Sequence, residues 1–121
     1  MTEDRSIHPD CLFCRIVAGE LPAKTVFDRE DVLAFHDIAP RSPTHILVIP
    51  KIHIPSAADL TVEDGPILGR LFAAAAEIAR QQGIADDGYR LVSNIGRWGG
   101  QTVDHLHIHL MGGRSFSWPP G

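Results

Sequence analysis

The sequence predicts an α+β domain built on an antiparallel sheet. Two observations carry that expectation. The apolar residues switch between a period of two and a period of 3.6 along the chain. The segments also come in the order helix, two strands, strand, helix, strand, strand, and not as alternating βαβ units. At 121 residues, 44% hydrophobic and 21% charged, the chain has the length and composition of one ordinary globular domain. It contains no repeat, low-complexity tract or internal linker.

Residues 1–10 read as a flexible tail, and 11–121 as the domain with its C-terminal tail. "CLFCRIVAG" predicts a short helix with Leu12, Phe13, Ile16 and Val17 on one side and Gly19 as its stop. "AKTVFDRE" and "DVLAFHDI" read as a hairpin turning at Asp28–Asp31. "APRSP" is loop, and "THILVIPK", apolar on both faces, predicts a central strand covered on both sides. The one long helix starts at Thr61 or Asp64. It carries a stripe of Leu68, Leu71, Phe72, Ala75, Ile78 and Ala79 and ends before Gly83. "GYRLVSN" is a strand, "IGRWGGQT" a glycine-rich loop, "VDHLHIHLMGG" the last strand and "RSFSWPPG" a tail.

A net charge of −4 argues against non-specific nucleic-acid binding, which needs a basic face. No apolar run is long enough to span a bilayer, and the polar, acidic start "MTEDRSIHPD" does not look like a signal peptide. A cytoplasmic protein is therefore expected. The preponderance of Arg over Lys, with plentiful Ala, Gly and Pro, fits a GC-rich bacterial genome.

The chain has seven histidines, and His105, His107 and His109 alternate with Leu106, Ile108 and Leu110. In a strand the three imidazoles share one face, neighbours ~6.6 Å apart and the outer two ~13 Å. Metal–nitrogen bonds are only ~2 Å long, so all three cannot converge on one ion. Gly96, Gly99 and Gly100 allow close backbone approach to an anion, and Gln101 and Thr102 add an amide and a hydroxyl. Neutral imidazole is a competent nucleophile near pH 7. A row of imidazoles beside such a loop points to phosphoryl or nucleotidyl transfer, without naming the substrate. Cys11 and Cys14 form a C-x-x-C that no preceding strand supports as a redox motif. Half of a zinc site and a pair of buried thiols both remain open.

"HLHIHLM" resembles the His-x-His-x-His signature of the histidine triad (HIT) superfamily. "FCRIVAGELPAKTVFD", "VLAFHDIAPRSPTHILVIPKIHI", "NIGRWGGQTVDHLHIHLMGGR" and "WPPG" extend the likeness to the Hint branch, the nucleoside phosphoramidases, from about Cys11 to Gly121. The resemblance implies a five-stranded antiparallel sheet with one long and one short helix, paired as a two-fold homodimer with a continuous sheet. It implies that His107 attacks the α-phosphorus of a purine nucleoside phosphoramidate, with His109 on a phosphate oxygen and His45 orienting the triad. It places Asn94, Gly100, Gln101, Thr102 and Val103 around the phosphate and leaving group, with Thr102 where relatives often carry Ser. Asp37 matches the ribose-binding carboxylate, and Leu12, Phe13, Ile16, Phe35, Ile38 and Leu47 the slot for the base. Trp118 resembles a residue that reaches the partner's site. Catalysis needs no cofactor. Some branches of the superfamily, mostly bacterial, bind a structural zinc ion, and the matching ligands here are Cys11, Cys14, His53 and His105. His8 is set aside because it lies in the tail, and His36 is left unassigned.

Other functions compete with this reading. One is a dinucleoside polyphosphate hydrolase or nucleotide phosphorylase of a sister branch. Another is a regulatory module that only binds purine nucleotides. A metalloenzyme using the H-x-H pairs is disfavoured, since the nearby carboxylate, Asp104, faces the other side of the strand.

Overall fold

The computed structural model describes residues 4–121, so Met1–Glu3, the start of the expected tail, lie outside the described residues. Strands β1 (Thr25–Asp28), β2 (Val32–His36), β3 (Thr44–Pro50), β4 (Arg90–Val92) and β5 (Ile108–Gly112) form one antiparallel sheet in the order β1-β2-β3-β5-β4. Helix α1 (Leu12–Val17) and the long helix α2 (Gly65–Gln81) cover opposite faces. Alternation along the strands decides which residue meets which helix. Ala34, Ile46, Val48, Ile108 and Leu110 pack with Leu71, Ala74, Ala75 and Ile78 of α2. Leu33, Phe35, Leu47 and Ile49 pack with Cys11, Phe13 and Cys14. Covered on both faces, β3 is buried from His45 to Pro50, as its apolar run predicts.

Both helices end in the same way. Gly19 and Gly83 adopt left-handed φ of 79° and 74°. The residues after them, Glu20 and Ile84, donate to Arg15 O (2.9 Å) and Ala79 O (3.0 Å), closing the last turns. A 3-10 turn, Val62–Asp64, leads into α2, and Thr61 N–H donates to Asp64 Oδ2 at 2.9 Å. Phe72 departs from the expected stripe. The buried face centres on Leu71, Ala74, Ala75 and Ile78, which leaves Phe72 on its flank and half exposed.

The last strand is shorter than expected. It begins at Ile108, so only His109 of the triad lies in it. The pairing of β3 with β5 stops at Val48↔Ile108. Continued, the ladder would reach Pro50, which has no N–H to give. Residues 103–107 are held instead by Leu106 N–H on Ile54 O (2.6 Å) and by side-chain bonds. The stretch expected as a loose tail carries contacts to the domain from Arg5 onward, among them an ion pair between Arg5 and Asp64 (2.6 Å). No helix among the described residues is long and apolar enough to cross a membrane.

Candidate active site and metal centre

Two histidine clusters lie beside each other on the α1 side of the sheet. The first joins Cys11, Cys14, His53 and His105, whose ligand atoms all lie within 4.8 Å of one another. Cys11 is the N-cap of α1, and its sulfur accepts the Cys14 N–H (3.3 Å), so one helical turn brings both thiols to the same spot. His53 comes from the loop after β3 and His105 from the stretch before β5. Cys14 Sγ lies 3.2 Å from His53 Nδ1 and 3.5 Å from His105 Nδ1, and Cys11 Sγ 3.3 Å from His105 Nδ1. A tetrahedral zinc ion would set its sulfur and nitrogen ligands roughly 3.5 Å apart. The donor set and its spacing therefore fit a metal ion. His105 is fully buried, and its Nε2 lies 2.9 Å from Pro50 O. That carbonyl can only accept, so the proton sits on Nε2 and the Nδ1 lone pair faces the sulfurs, as metal ligation requires. Burial pushes the Cys14 thiol up to about 11 and lowers His105 to about 4. A bound cation would hold the sulfurs as thiolates.

The second cluster is built by the register of β3 on β5. Leu47 pairs with His109 and His45 with Met111, which makes His45 and His109 diagonal neighbours on one face. His45 Nε2 lies 2.9 Å from His109 Nδ1 and 3.4 Å from Asp37 Oδ2. The main-chain N–H of Arg41 donates to His45 Nδ1 at 2.9 Å. That donor fixes the protons in order. His45 Nδ1 accepts, so its Nε2 carries hydrogen and donates to His109 Nδ1. The remaining nitrogen of His109, Nε2, then presents an N–H. Burial lowers the His45 pKa against the pull of Asp37. Burial, then His107 and His45, lowers His109 to about 4, so both rings are neutral. Asp37, His45 and His109 are also close enough to hold a metal. Ligation through His45 Nε2 would move its proton to Nδ1, against the Arg41 N–H. This cluster is therefore a hydrogen-bond relay.

His107 stands between the clusters. It is buried, and Phe13 meets its ring edge-on at 5.2 Å. Its Nδ1 donates to His105 O at 2.7 Å, which leaves a lone pair on Nε2. The His109 ring centre is 5.0 Å away. The site thus offers an oriented imidazole lone pair beside an oriented N–H donor.

The glycine-rich loop borders this pair, because Val92 at the end of β4 pairs with His109. A Cβ on Gly99 would lie 2.2 Å from Ile95 O, so the turn admits only glycine there. Gln101 does not present the free amide expected of it. Its Oε1 accepts the Gly96 N–H (3.0 Å), and its Nε2 donates to Pro55 O (2.7 Å) and Val103 O (3.1 Å). Its amide is engaged in shaping the loop. Asn94 likewise donates to Gly99 O at 2.8 Å. Gly100 (φ 84°) and Thr102 are exposed, and Val103 packs on the α1-side core. Of the expected base slot, Phe13, Phe35 and Leu47 are buried core, Ile16 is half-buried, Leu12 is half exposed and Ile38 is fully exposed. Trp118 is exposed in the tail, and His36 points to solvent.

The backbone partners Arg41 N–H, Pro50 O and Pro55 O were not foreseeable, since main-chain groups leave no trace in residue identity. His8, set aside with the tail, stacks its ring on His53 with centres 3.9 Å apart.

A family model described as "HIT domain" matches residues 18–116. A purine nucleoside phosphoramidase of Escherichia coli (strain K12) is 50% identical over 105 residues, covering 87% of this chain and 88% of that protein. The crystal structure of a HIT family hydrolase from Legionella pneumophila superposes with a TM-score of 0.91 at 47% identity, covering 93% of this chain and all of the other. A zinc-bound histidine triad family protein from Mycobacterium smegmatis gives a TM-score of 0.73 at 34% identity over 87% of this chain and 76% of its own. With the two clusters, the five-stranded sheet and these relatives in agreement, the chain belongs to the HIT domain family and is an enzyme of it.

Proposed function

We propose that the protein hydrolyses the P–N bond of purine nucleoside 5′-phosphoramidates through a nucleotidyl-histidine, releasing AMP or GMP. The observation that carries this reading is the Nδ1–H of His107 held on His105 O at 2.7 Å, which leaves Nε2 free to attack. His107 Nε2 forms a bond to the α-phosphorus, and the P–N bond pair leaves with the amine, which takes a proton from water at the open rim beside Thr102. The ring gains positive charge as it bonds to phosphorus, so its hydrogen bond to the His105 carbonyl strengthens on the way to the transition state. His109 Nε2–H holds a phosphate oxygen, supplied with its orientation by His45. Water then adds to phosphorus, the His107 Nε2–phosphorus bond breaks and returns its electron pair to the ring, and the proton shed by that water replaces in solvent the one the departing amine has kept.

The nucleotide lies with its ribose hydroxyls on Asp37 and its base against Leu12, Phe13, Ile16, Phe35, Ile38 and Leu47. The phosphate lies beside Asn94, Gly100, Thr102 and Val103. The metal in the Cys11, Cys14, His53 and His105 cluster is zinc, and its role is structural, since four protein ligands leave no open position. Two copies pair through α2 and the edge strand β4, with Phe72 covered and Trp118 reaching the partner's site. The enzyme works in the cytoplasm.

The test is a rapid quench of wild type and His107→Ala with adenosine 5′-phosphoramidate, followed by mass spectrometry. Wild type should carry a nucleoside monophosphate on the "HLHIHL" peptide and release AMP and ammonia. The variant should do neither while still binding AMP. Neither adduct nor turnover in wild type that binds AMP would overturn the reading in favour of a dinucleoside polyphosphate or of binding alone.

A further inference from the structure

The four ligand residues are not equally secured. His105 is gripped at both ring nitrogens, by Pro50 O and by the sulfurs. Cys11 and Cys14 sit in the first turn of α1. His53 lies in the loop between β3 and the first 3-10 turn (Ala57–Asp59), where no strand ladder holds it. The N-terminal segment takes the place of a ladder. His53 N–H donates to Arg5 O at 2.8 Å. The His8 ring lies against the His53 ring, centres 3.9 Å apart and planes 19° from parallel. His8 Nε2 is fixed in turn on Asp4 O at 3.1 Å.

The same segment touches both thiols' residues. Cys11 N–H donates to His8 O at 3.1 Å, and the backbone of His8 hydrogen-bonds Cys14. Its far end is anchored by a forked ion pair, Arg5 Nη1 and Nη2 on Asp64 Oδ1 (2.6 Å) and Oδ2 (3.2 Å). Asp64 is buried and bonded to Thr61 N–H, so the anchor is part of the body of the domain. Two-pronged Arg–carboxylate pairs fix geometry in a way that single surface ion pairs do not.

We propose that residues 5–8 are a retaining strap for the metal site, with Arg5 and His8 as positioning residues that hold His53 and Cys14 against the ion. The inference rests on the metal reading above. Groups that orient metal ligands without binding the metal commonly change affinity about 10–100-fold when removed. The strap also lies over the His53 side of the site, so opening it is the route by which the ion would leave.

The experiment uses the full chain loaded with zinc, and reads the rate of zinc release to a chromogenic chelator. Release should quicken about tenfold or more in His8→Ala and in Arg5→Ala. His8→Phe keeps a flat ring on His53 and should stay near wild type. Cobalt substituted into each variant should give the same tetrahedral spectrum, because the ligands themselves are unchanged. The chelator-stripped variants should melt within a few degrees of stripped wild type, which a purely structural strap would not allow. Equal release rates in wild type and both alanine variants would overturn the strap, as would an equal loss of melting temperature in stripped and loaded protein. Wild type that takes up neither zinc nor cobalt at one ion per chain would overturn the metal reading and this inference with it.

Discussion

The two histidine clusters are made of similar groups, pack on the same side of the sheet and each bring their ligand atoms within 4.8 Å. They differ in the groups beside the rings, two thiols in one and a carboxylate in the other, and in the backbone partner of one ring. In the first cluster a carbonyl, Pro50 O, takes the proton of His105 Nε2 and turns a bare Nδ1 toward two sulfurs. In the second an N–H, that of Arg41, occupies His45 Nδ1 and forces the proton onto the nitrogen that faces His109. An acceptor behind the ring leaves a bare lone pair in front, and a donor behind the ring makes a proton donor in front. His107 is of the first kind although it stands beside the relay, because its Nδ1–H rests on the carbonyl of His105 and leaves a bare Nε2.

If that division is right, breaking the relay damages turnover and breaking the metal cluster damages the fold. Within the relay the largest effect is expected in His109→Ala, with kcat down about 10²–10⁴-fold in steady-state kinetics and a smaller change in KM. His45→Ala should approach the same loss. The double variant should be little worse than the poorer single one, since the two rings act as a unit. An unchanged kcat in His45→Ala would break the relay. Next in size is metal removal. Chelation should lower the melting temperature by about 10 °C, the shift expected for a loss of about 2–3 kcal/mol in a domain of this size. Turnover abolished at an unchanged melting temperature would show that the ion serves the chemistry and that the clusters are not separate.

A smaller effect is expected at Gln101, whose amide ties Gly96, Pro55 and Val103 together. Gln101→Ala should cost stability, at about 1 kcal/mol for each neutral hydrogen bond lost. Its kcat/KM should fall only a few-fold, through a loosened loop. A loss near that of His109→Ala, with stability kept, would return Gln101 to the phosphate.

The sheet, both helices and their glycine stops were legible in the sequence because they rest on local period and cap chemistry. So was the grouping of Cys11, Cys14, His53 and His105, carried by their likeness to a known ligand set. The early end of the last strand was not read, although Pro50 announces it once the register is known. A strand pattern shows alternation, and "HLHIHL" keeps alternating polar and apolar residues beyond the point where the ladder stops. The engagement of the Gln101 amide within its own loop is hidden from the sequence for a related reason. Side-chain type tells which bonds an amide can make, and only the folded loop tells that all of them are taken. His8 was passed over as tail because nothing local in "SIHPD" indicates that a ring three residues before Cys11 returns to lie on His53.

A further effect, which leaves turnover aside, concerns protons and tests the neutrality of the relay. Burial, with His107 and His45 adding to it, lowers the folded-state pKa of His109 to about 4, while an unfolded histidine titrates near 6.5. Between those values the unfolded chain holds more protons at this residue than the folded one. Stability therefore rises with pH across that window. The contribution of His109 is complete above about pH 6.5, is lost as pH falls, and is gone below about pH 4. Urea midpoints measured from pH 7 to pH 4 should thus fall less steeply in His109→Gln than in wild type, by the slope of up to one proton. The glutamine cannot titrate, so the difference isolates this ring from the other histidines. Parallel curves would mean that His109 takes up a proton in the fold at its ordinary pKa. The Arg41–His45–His109 order of donors could not then be the resting state, and the donor behind His45 would lose its meaning as the feature that separates the two clusters.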